Sequence, residues 1–405
     1  STNDMLAAFS WLPEEEAYAY VVTHSQTIAN MIEPIKPIQA KLKTPRIEGV
    51  DEKLKERCYQ RAYQQYGNPL PLLIAERLEK ELHGIIVSGY AVIYYITATV
   101  IAKANQAGFI VGSRGSVGSS FAATMAGITE VNPLPPHYYC PTCHHVEFNE
   151  DPKIKSGFDL PTKQCPRCHQ TYRADGQNIP FATFLGFNAD KVPDIDLNFP
   201  RDYQAIAHEE TAKLLGDNAV YRAGTIETVA EKTAFGYVKG YFESLGVDER
   251  SLSQATLTVL AKRVEGVRRT SGQHPGGIVV VPKEFDVHDF TPIQRPADNQ
   301  ETSIITTHFA FEALHDALLK FDMLGHVDPM ALKMMSDLTN IPIEDIPLND
   351  PDALSVFASD APLMRKEKYL DVSNGAMGLP EFGTLLGMDI LNVIQPKTFN
   401  DLVII

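Results

Sequence analysis

The sequence predicts an α+β protein carrying a metal-stapled insertion, and three observations predict it. Apolar residues recur at helical spacing over residues 51–66 and 70–106. Short strand-like runs, GFIVG (108–112), PDIDLNF (193–199) and LLKFDML (318–324), lie beside Gly-rich or polar stretches. Four of the five cysteines form two CxxC pairs. At roughly 150 residues per domain, 405 residues hold two to three domains, enough to bury a core without disulfides. A hydrophobic content of 44% with 21% charged residues excludes a disordered or collagen-like chain.

The elements follow in order. Residues 1–45 read as largely helical, with Glu14, Glu15 and Glu16 after Pro13 forming an acidic first turn that suits the positive end of a helix dipole. Ile32–Gly49 is broken by prolines and reads as an extended boundary. After the 108–112 strand, GSRGSVGSS (112–120) turns into a helix-like SFAATMAGI that Pro133, Pro135 and Pro136 close off. Residues 203–263 read as mainly helical with a charged exposed face. RRTSGQHPGGIVVVP (268–282) reads as a Gly-rich turn feeding a strand, and from Asp328 the chain is helical and then loop-rich. There is no internal repeat and no low-complexity tract.

Charge and hydropathy narrow the function. The net charge of −15 excludes a surface that is basic throughout, so any nucleic-acid site must be a local stripe or be helped by metal ions. Ser1 opens onto neither a basic nor an apolar leader, so no secretory signal is expected. The uncharged stretch 84–102 is long enough for a bilayer. Ser88 and Gly89 interrupt it, and tyrosines and threonines fill its second half, so it is expected to be a buried helix.

Cys140-Pro-Thr-Cys143 and Cys165-Pro-Arg-Cys168 are separated by residues 144–164, a spacing close to that of a zinc ribbon. Four thiolates leave no open position, so the site is expected to be structural; His144, His145 and His169 are adjacent and could replace one ligand. Cys58 stands alone and reads as a core or surface thiol.

Asp194 and Asp196 alternate with Ile195, Leu197 and Phe199, so in a strand both carboxylates share one face. Side by side they repel unless a cation neutralises them. Asp322, with Lys320 on the same strand face, is bracketed by Leu319, Phe321 and Met323. Three such carboxylates suit two Mg²⁺ ions and in-line phosphoryl transfer, with Lys320 offsetting phosphate charge or protonating the leaving group. Taken alone, the pair also fits a solvated surface strand.

Gly112, Ser113, Arg114, Gly115, Ser116, Gly118 and Ser119 form a GxxGxxG loop between strand and helix, neither a dinucleotide fingerprint nor a P-loop. Free N–H groups, hydroxyls and Arg114 there suit a triphosphate; a flexible capped turn is the plainer alternative. Lys262, Arg263, Arg268 and Arg269 form a basic patch around Gly266, suited to a nucleic-acid backbone or to solvent, with Arg222 and Lys232 a weaker candidate. His274 lies in the Gly-rich run that follows.

In their order, GSRGSVGSS, CPTC…CPRC, PDIDLNF, RAGTIETVAEKTAFGYVKGY, RTSGQHPGGIVVVP and LLKFDMLGHVDP closely resemble the PolC-type DNA polymerase III alpha subunits, a family of bacterial replicative polymerases. The resemblance covers nearly the whole chain. It implies a polymerase beta-like nucleotidyltransferase palm with a mixed sheet, a helical thumb insertion and a four-cysteine, zinc-ribbon-like insertion. On that reading, 1–45 is the trailing end of a PHP domain, 46–135 the first part of the palm with its Gly-Ser loop, and 136–180 the zinc insertion. Palm segments follow at 181–230 and 268–330 around a thumb at 231–267, and 331–405 begins the fingers.

The resemblance further implies Asp194, Asp196 and Asp322 as catalytic ligands of two Mg²⁺ ions, one structural Zn²⁺ on the cysteines, and the 112–120 loop against the incoming triphosphate. Arg269, His274 and Lys320 would line the active site. Template-directed DNA synthesis in the cytoplasm is the implied activity, with primer-template DNA and dNTP as partners and no membrane. A sliding clamp and other replisome subunits would join the full-length enzyme. The exonuclease and the PHP histidine motifs do not appear, and the chain stops within the fingers, so it is expected to be a piece of a larger product. A template-independent nucleotidyltransferase and a non-catalytic zinc-stabilised binding module are the alternatives.

Overall fold

The computed structural model describes the chain apart from residues 35–40, 187–190, 248–250, 297–300, 303 and 364–372. Parts of the segments expected as the 32–49 boundary, the second palm part (181–230), the thumb (231–267), the third palm part (268–330) and the start of the fingers (331–405) therefore lie outside the described residues. Two compact units divide between Lys41 and Leu42. The first contains the helix Thr2–Ala8, capped by Ser1, and a helical run from Glu14 that passes through a wider π turn at Ala19–His24 and continues to Met31.

The second unit is a mixed α+β body. Its strands are β1 (Gly112–Arg114), β2 (His137–Tyr139), β3 (Val146–Phe148), β4 (Arg173–Asp175) and β5 (Asp196–Pro200). They continue as β6 (Val220–Thr228), β7 (Arg268–Val280), β8 (Ile293–Gln294), β9 (Thr306–Ala310) and β10 (Leu319–His326). Among the described residues, seven form one mixed sheet in the order β1-β5-β10-β7-β6-β9-β8, and three form a small sheet, β3-β2-β4. β5 and β10 run parallel, and β10 runs antiparallel to β7.

Alternation along the strands separates two faces of the main sheet. Leu197 and Phe199 of β5, and Leu319, Phe321 and Met323 of β10, are buried against the helices Val50–Tyr66, Leu72–Val87, Ala91–Gln106 and Gln204–Leu215. Burying such side chains stabilises the fold by about 1.5–3 kcal/mol each. Asp196, Asn198, Lys320 and Asp322 project half-buried on the other face. The core is thus built from one half of each strand, and the polar half is left for chemistry.

Four expectations are corrected. The apolar stretch 84–102 is not one helix: Gly89, with φ +74°, breaks it, and helices Leu72–Val87 and Ala91–Gln106 meet at 111°, neither long and apolar enough to cross a membrane. The first strand starts at Gly112, not Gly108, and β5 starts at Asp196, with Asp194 in the extended lead-in. Residues 203–263 include β6, whose β-branched Val220, Thr225, Ile226 and Thr228 pair with the distant β7. The run 268–282 is a strand from Arg268 to Val280, not a turn feeding one, because Pro275, Gly276 and Gly277 sit in a bulge within it.

Between β6 and β7 the helices Glu231–Ser244 and Gln254–Val264 pack on each other around Val229, Ala234, Val238, Leu257 and Ala261. The small sheet joins the main body through buried polar side chains. Asn132 Nδ2 donates to Tyr66 Oη and to Asp175 Oδ2, both at 2.8 Å, and Tyr66 Oη lies 3.1 Å from His137 Nε2.

Candidate active site

Strand register brings the key side chains into one row. Across the sheet, Arg114 of β1 pairs with Asp196 of β5, Asp196 with Asp322 of β10, and Asp322 with Gly277 of β7. Directly opposed residues point to the same face, so Arg114 and the two carboxylates stand side by side. Burial pushes the Asp196 carboxyl up, Asp194 and Asp322 push it further, and Arg114 and Lys320 oppose them. Asp322 is raised by burial and by Asp194, against His274, Lys320 and Arg114. Lys320 is lowered by burial, against Asp194, Glu312, Asp322 and Asp196. Three carboxylates, two adjacent in one strand pattern and the third more than a hundred residues on, therefore share one electrostatic environment.

The Asp322 Oδ1 atom is buried and has no hydrogen-bond partner. An orphaned carboxylate oxygen beside other carboxylates is costly without a counter-ion, and this donor set fits a hard divalent cation. The three aspartates are spread more widely than a closed cage: among the described residues, the cysteines are the one group of three or more candidate ligands with all ligand atoms within 4.8 Å of one another.

His274 reaches the row through a bulge. β6 and β7 pair Gly224 with Gln273 and then Arg222 with Ile278, so His274–Gly277 stand opposite the single residue Ala223. The Gly277 N–H donates to His274 Nδ1 at 2.7 Å, which places the ring proton on Nε2. His274 Nδ1 lies 3.8 Å from Asp322 Oδ1. Both glycines are required by close approach. A Cβ on Gly276 would stand 2.5 Å from Asp322 Oδ1, and one on Gly277 2.7 Å from His274 Nδ1. Phe311 completes the wall: its ring stacks on His274 at 4.7 Å and lies 3.8 Å from Lys320 Nζ.

The Gly-Ser loop is divided by its strand register. Arg114 and Gly115 are exposed and Ser116 is half-buried, and a Cβ on Gly115 would meet nothing within 4 Å. Gly112 lies opposite Asn198 on the aspartate side. Ser113 faces the opposite side, with its Oγ 2.7 Å from Thr129 Oγ1 and 3.3 Å from Glu130 Oε2. Gly118 and Ser119 are buried. The start of helix Phe121–Ala126 is already filled: the buried Glu81 carboxylate accepts from Ala122 N–H and Ser120 Oγ, both at 3.0 Å, and pairs with Arg77.

The basic residues lie elsewhere. Lys262, Arg263, Arg268 and Arg269 are exposed around Gly266 at the base of the helical hairpin. Arg269 is five residues before His274, about 16 Å along an extended strand. Arg222 is half-buried beside His208, 3.5 Å away, and Lys232 is exposed at the start of the hairpin.

The cysteines converge in the small-sheet insertion. Cys140 and Cys168 Sγ atoms lie 3.3 Å apart, and those of Cys143 and Cys165 3.5 Å apart. The two knuckles repeat one backbone pattern. His144 and His169, each following the second Cys, take positive φ of 56° and 60°, while Cys140 and Cys165 N–H groups donate to His145 and Gln170 carbonyls. Enclosure raises the Cys165 thiol, but the backbone N–H groups of Cys168 and Arg167 outweigh it and bring it down to about 6, toward the thiolate. Among the described residues no histidine joins the cluster; His145 bonds Tyr172 Oη instead. Four thiols and the absence of an open ligand position fit a structural Zn²⁺. Cys58 is a core residue, its thiol pushed up to about 12 by burial.

Phe311, Gln204 and His208 escaped the sequence reading. Gln204 and His208 are one helical turn apart on a charged-looking segment, and only their contacts with the bulge mark them.

The model for the bacterial DNA polymerase III alpha NTPase domain matches residues 52–254 and 238–325, and that for the bacterial DNA polymerase III alpha subunit finger domain matches 328–405. Over 403 residues the chain is 52% identical to the PolC-type DNA polymerase III of Halalkalibacterium halodurans. It is 50% identical to those of Listeria welshimeri and Bacillus subtilis. These alignments cover 100% of this chain and 28% of the relatives' length. With matched models over the sheet that carries the aspartates and over the C-terminal segment, the chain belongs to the bacterial DNA polymerase III alpha subunit family.

Proposed function

We propose that this chain carries the nucleotidyl-transfer centre of template-directed DNA synthesis in bacterial chromosome replication. The single observation that carries the reading is the parallel pairing of Asp196 with Asp322, flanked by Arg114 and leaving Asp322 Oδ1 unpartnered. The sheet face is then a palm of the polymerase beta-like nucleotidyltransferase type, the hairpin between β6 and β7 a thumb, and 331–405 the start of the fingers.

Asp196 and Asp322, with Asp194 at the edge of the site, would hold two Mg²⁺ ions. When bound, these supply acidity to a primer 3′-hydroxyl and charge stabilisation to the departing pyrophosphate. Arg114, Gly115 and Ser116 form the open part of the loop and receive the triphosphate, while Gly112, Ser113, Gly118 and Ser119 fix its backbone. Lys320, held over Phe311, faces the phosphates as a cation. His274, with its proton on Nε2, presents a donor. Lys262, Arg263, Arg268 and Arg269 hold the backbone of primer-template DNA. Zn²⁺ on Cys140, Cys143, Cys165 and Cys168 is structural. A sliding clamp and other replisome subunits, and a cytoplasmic setting, belong to the same reading.

Single-turnover primer extension tests it. Asp196→Asn and Asp322→Asn should each lower incorporation at least about a hundredfold, because each removes a charged ligand of the metal ions that stabilise the transition state. Undiminished synthesis by either variant would refute the assignment.

A further inference from the structure

The ladder between β10 and β7 ends at the site itself. Its register runs from Leu319 opposite Val280 to Asp322 opposite Gly277, where the paired ladder ends at the bulge. The Met323 carbonyl, next to Asp322, lies just beyond the last paired residues. The Gln204 side chain reaches it from the neighbouring helix. Its Nε2 donates to Met323 O at 2.6 Å and to Pro275 O at 2.8 Å. Both neighbours are carbonyl oxygens, so the amide orientation is fixed by chemistry and both of its hydrogens are used.

Two further features hold the clamp. Gly325 lies against the other end of the amide, where a Cβ would stand 2.9 Å from Gln204 Oε1. One turn along the same helix, buried His208 faces the Gly276 backbone, and burial together with Arg222 pushes its pKa down to about 3, so it stays neutral there.

We propose that Gln204 is a positioning residue of the metal centre: it ties the His274–Gly277 bulge to the strand carrying Asp322 and so sets where Asp322 Oδ1 stands. The inference rests on the reading of Asp196 and Asp322 as a metal-binding pair. Gln204 touches neither substrate nor metal. It acts through two backbone carbonyls, satisfying acceptors where the paired ladder ends. A carboxylate of the same shape could donate to neither carbonyl.

The test is Mn²⁺ binding to the chain, followed by electron paramagnetic resonance without turnover. Gln204→Glu should raise the Mn²⁺ dissociation constant about tenfold in protein that stays folded with the zinc content of the parent. Gly325→Ala, which pushes the amide aside without removing it, should weaken Mn²⁺ by a similar factor. The double variant should be no weaker than the stronger single one, since both break the same link. Gly325→Ala alone decides the matter if Gln204→Glu does not fold. Asp322→Asn distinguishes failure of the clamp from failure of the metal centre. If it abolishes Mn²⁺ binding while Gln204→Glu and Gly325→Ala leave it within twofold of the parent, the clamp is refuted and the metal centre stands. If Asp322→Asn leaves Mn²⁺ binding unchanged, the metal reading and the clamp fall together.

Discussion

Among single residues, the site depends on side chains that are missing as much as on those that are present. A Cβ at Gly276 would stand 2.5 Å from Asp322 Oδ1 and 2.8 Å from the Met323 carbonyl oxygen, so only glycine lets the bulge run this close. Gly276→Ala should therefore displace the carboxylate and cost about 1–3 kcal/mol of stability, as overpacking against rigid backbone does. Urea unfolding midpoints check the second expectation, and Mn²⁺ affinity checks the first. Much of this was legible in the sequence. The apolar–acidic alternation of 193–199 and 318–324 puts the aspartates on one face without any knowledge of pairing. The HPGG run was not, because Pro and Gly signal a turn equally well, and only the partner strand shows that four residues oppose one. Ser113 misled for the same reason, since its direction depends on a register with β5 that lies more than eighty residues away.

Among the elements, the insertion and the sheet have separate supports. Removing zinc with a chelator, or changing Cys140 and Cys168 to Ser, should unfold residues 136–180 and leave Mn²⁺ binding at the aspartates intact. Loss of Mn²⁺ binding in step with zinc would contradict that independence. The buried polar junction between them makes a second prediction. Burial raises Asp175 to about 6, against hydrogen bonds from Asn132 and the Gly176 N–H, while burial lowers His137 to about 4, against the Pro135 carbonyl.

The two groups tilt stability in opposite directions. Between about pH 4 and 6, folded Asp175 keeps a proton that the unfolded chain has lost, so its contribution falls as pH rises. Folded His137 lacks a proton that the unfolded chain holds, so its contribution rises as pH rises. Asp175→Asn removes the first effect. The variant should gain stability relative to the parent by about 1.4 kcal/mol per pH unit over that window. Thermal melts of the two proteins at matched pH would show the divergence, and parallel curves would refute it. The cysteine spacing announced the insertion in sequence. β6 was missed, because its β-branched residues lie beside helical segments and its pairing partner lies beyond the hairpin.

For the molecule as a whole, the chain carries −15 in net charge and yet is read as gripping a polyanion. The resolution is local: Lys262, Arg263, Arg268 and Arg269 are exposed together where the helical hairpin returns to the sheet. Replacing all four with Ala should weaken primer-template binding and flatten its salt dependence by about one unit of slope for each phosphate no longer neutralised. Affinity that falls with an unchanged salt slope would mean that the patch does not meet phosphates. The family could be recognised from motif order alone, whereas the division of the Gly-Ser loop between open and buried halves required the sheet. The sharpest test of the paired aspartates as a metal centre is anomalous diffraction from crystals soaked in Mn²⁺ and a dNTP. A peak is expected within bonding distance of both Asp196 and Asp322, with the triphosphate against Arg114 and Gly115. An occupied nucleotide with no Mn²⁺ at Asp322, or with Mn²⁺ bound elsewhere, would contradict it.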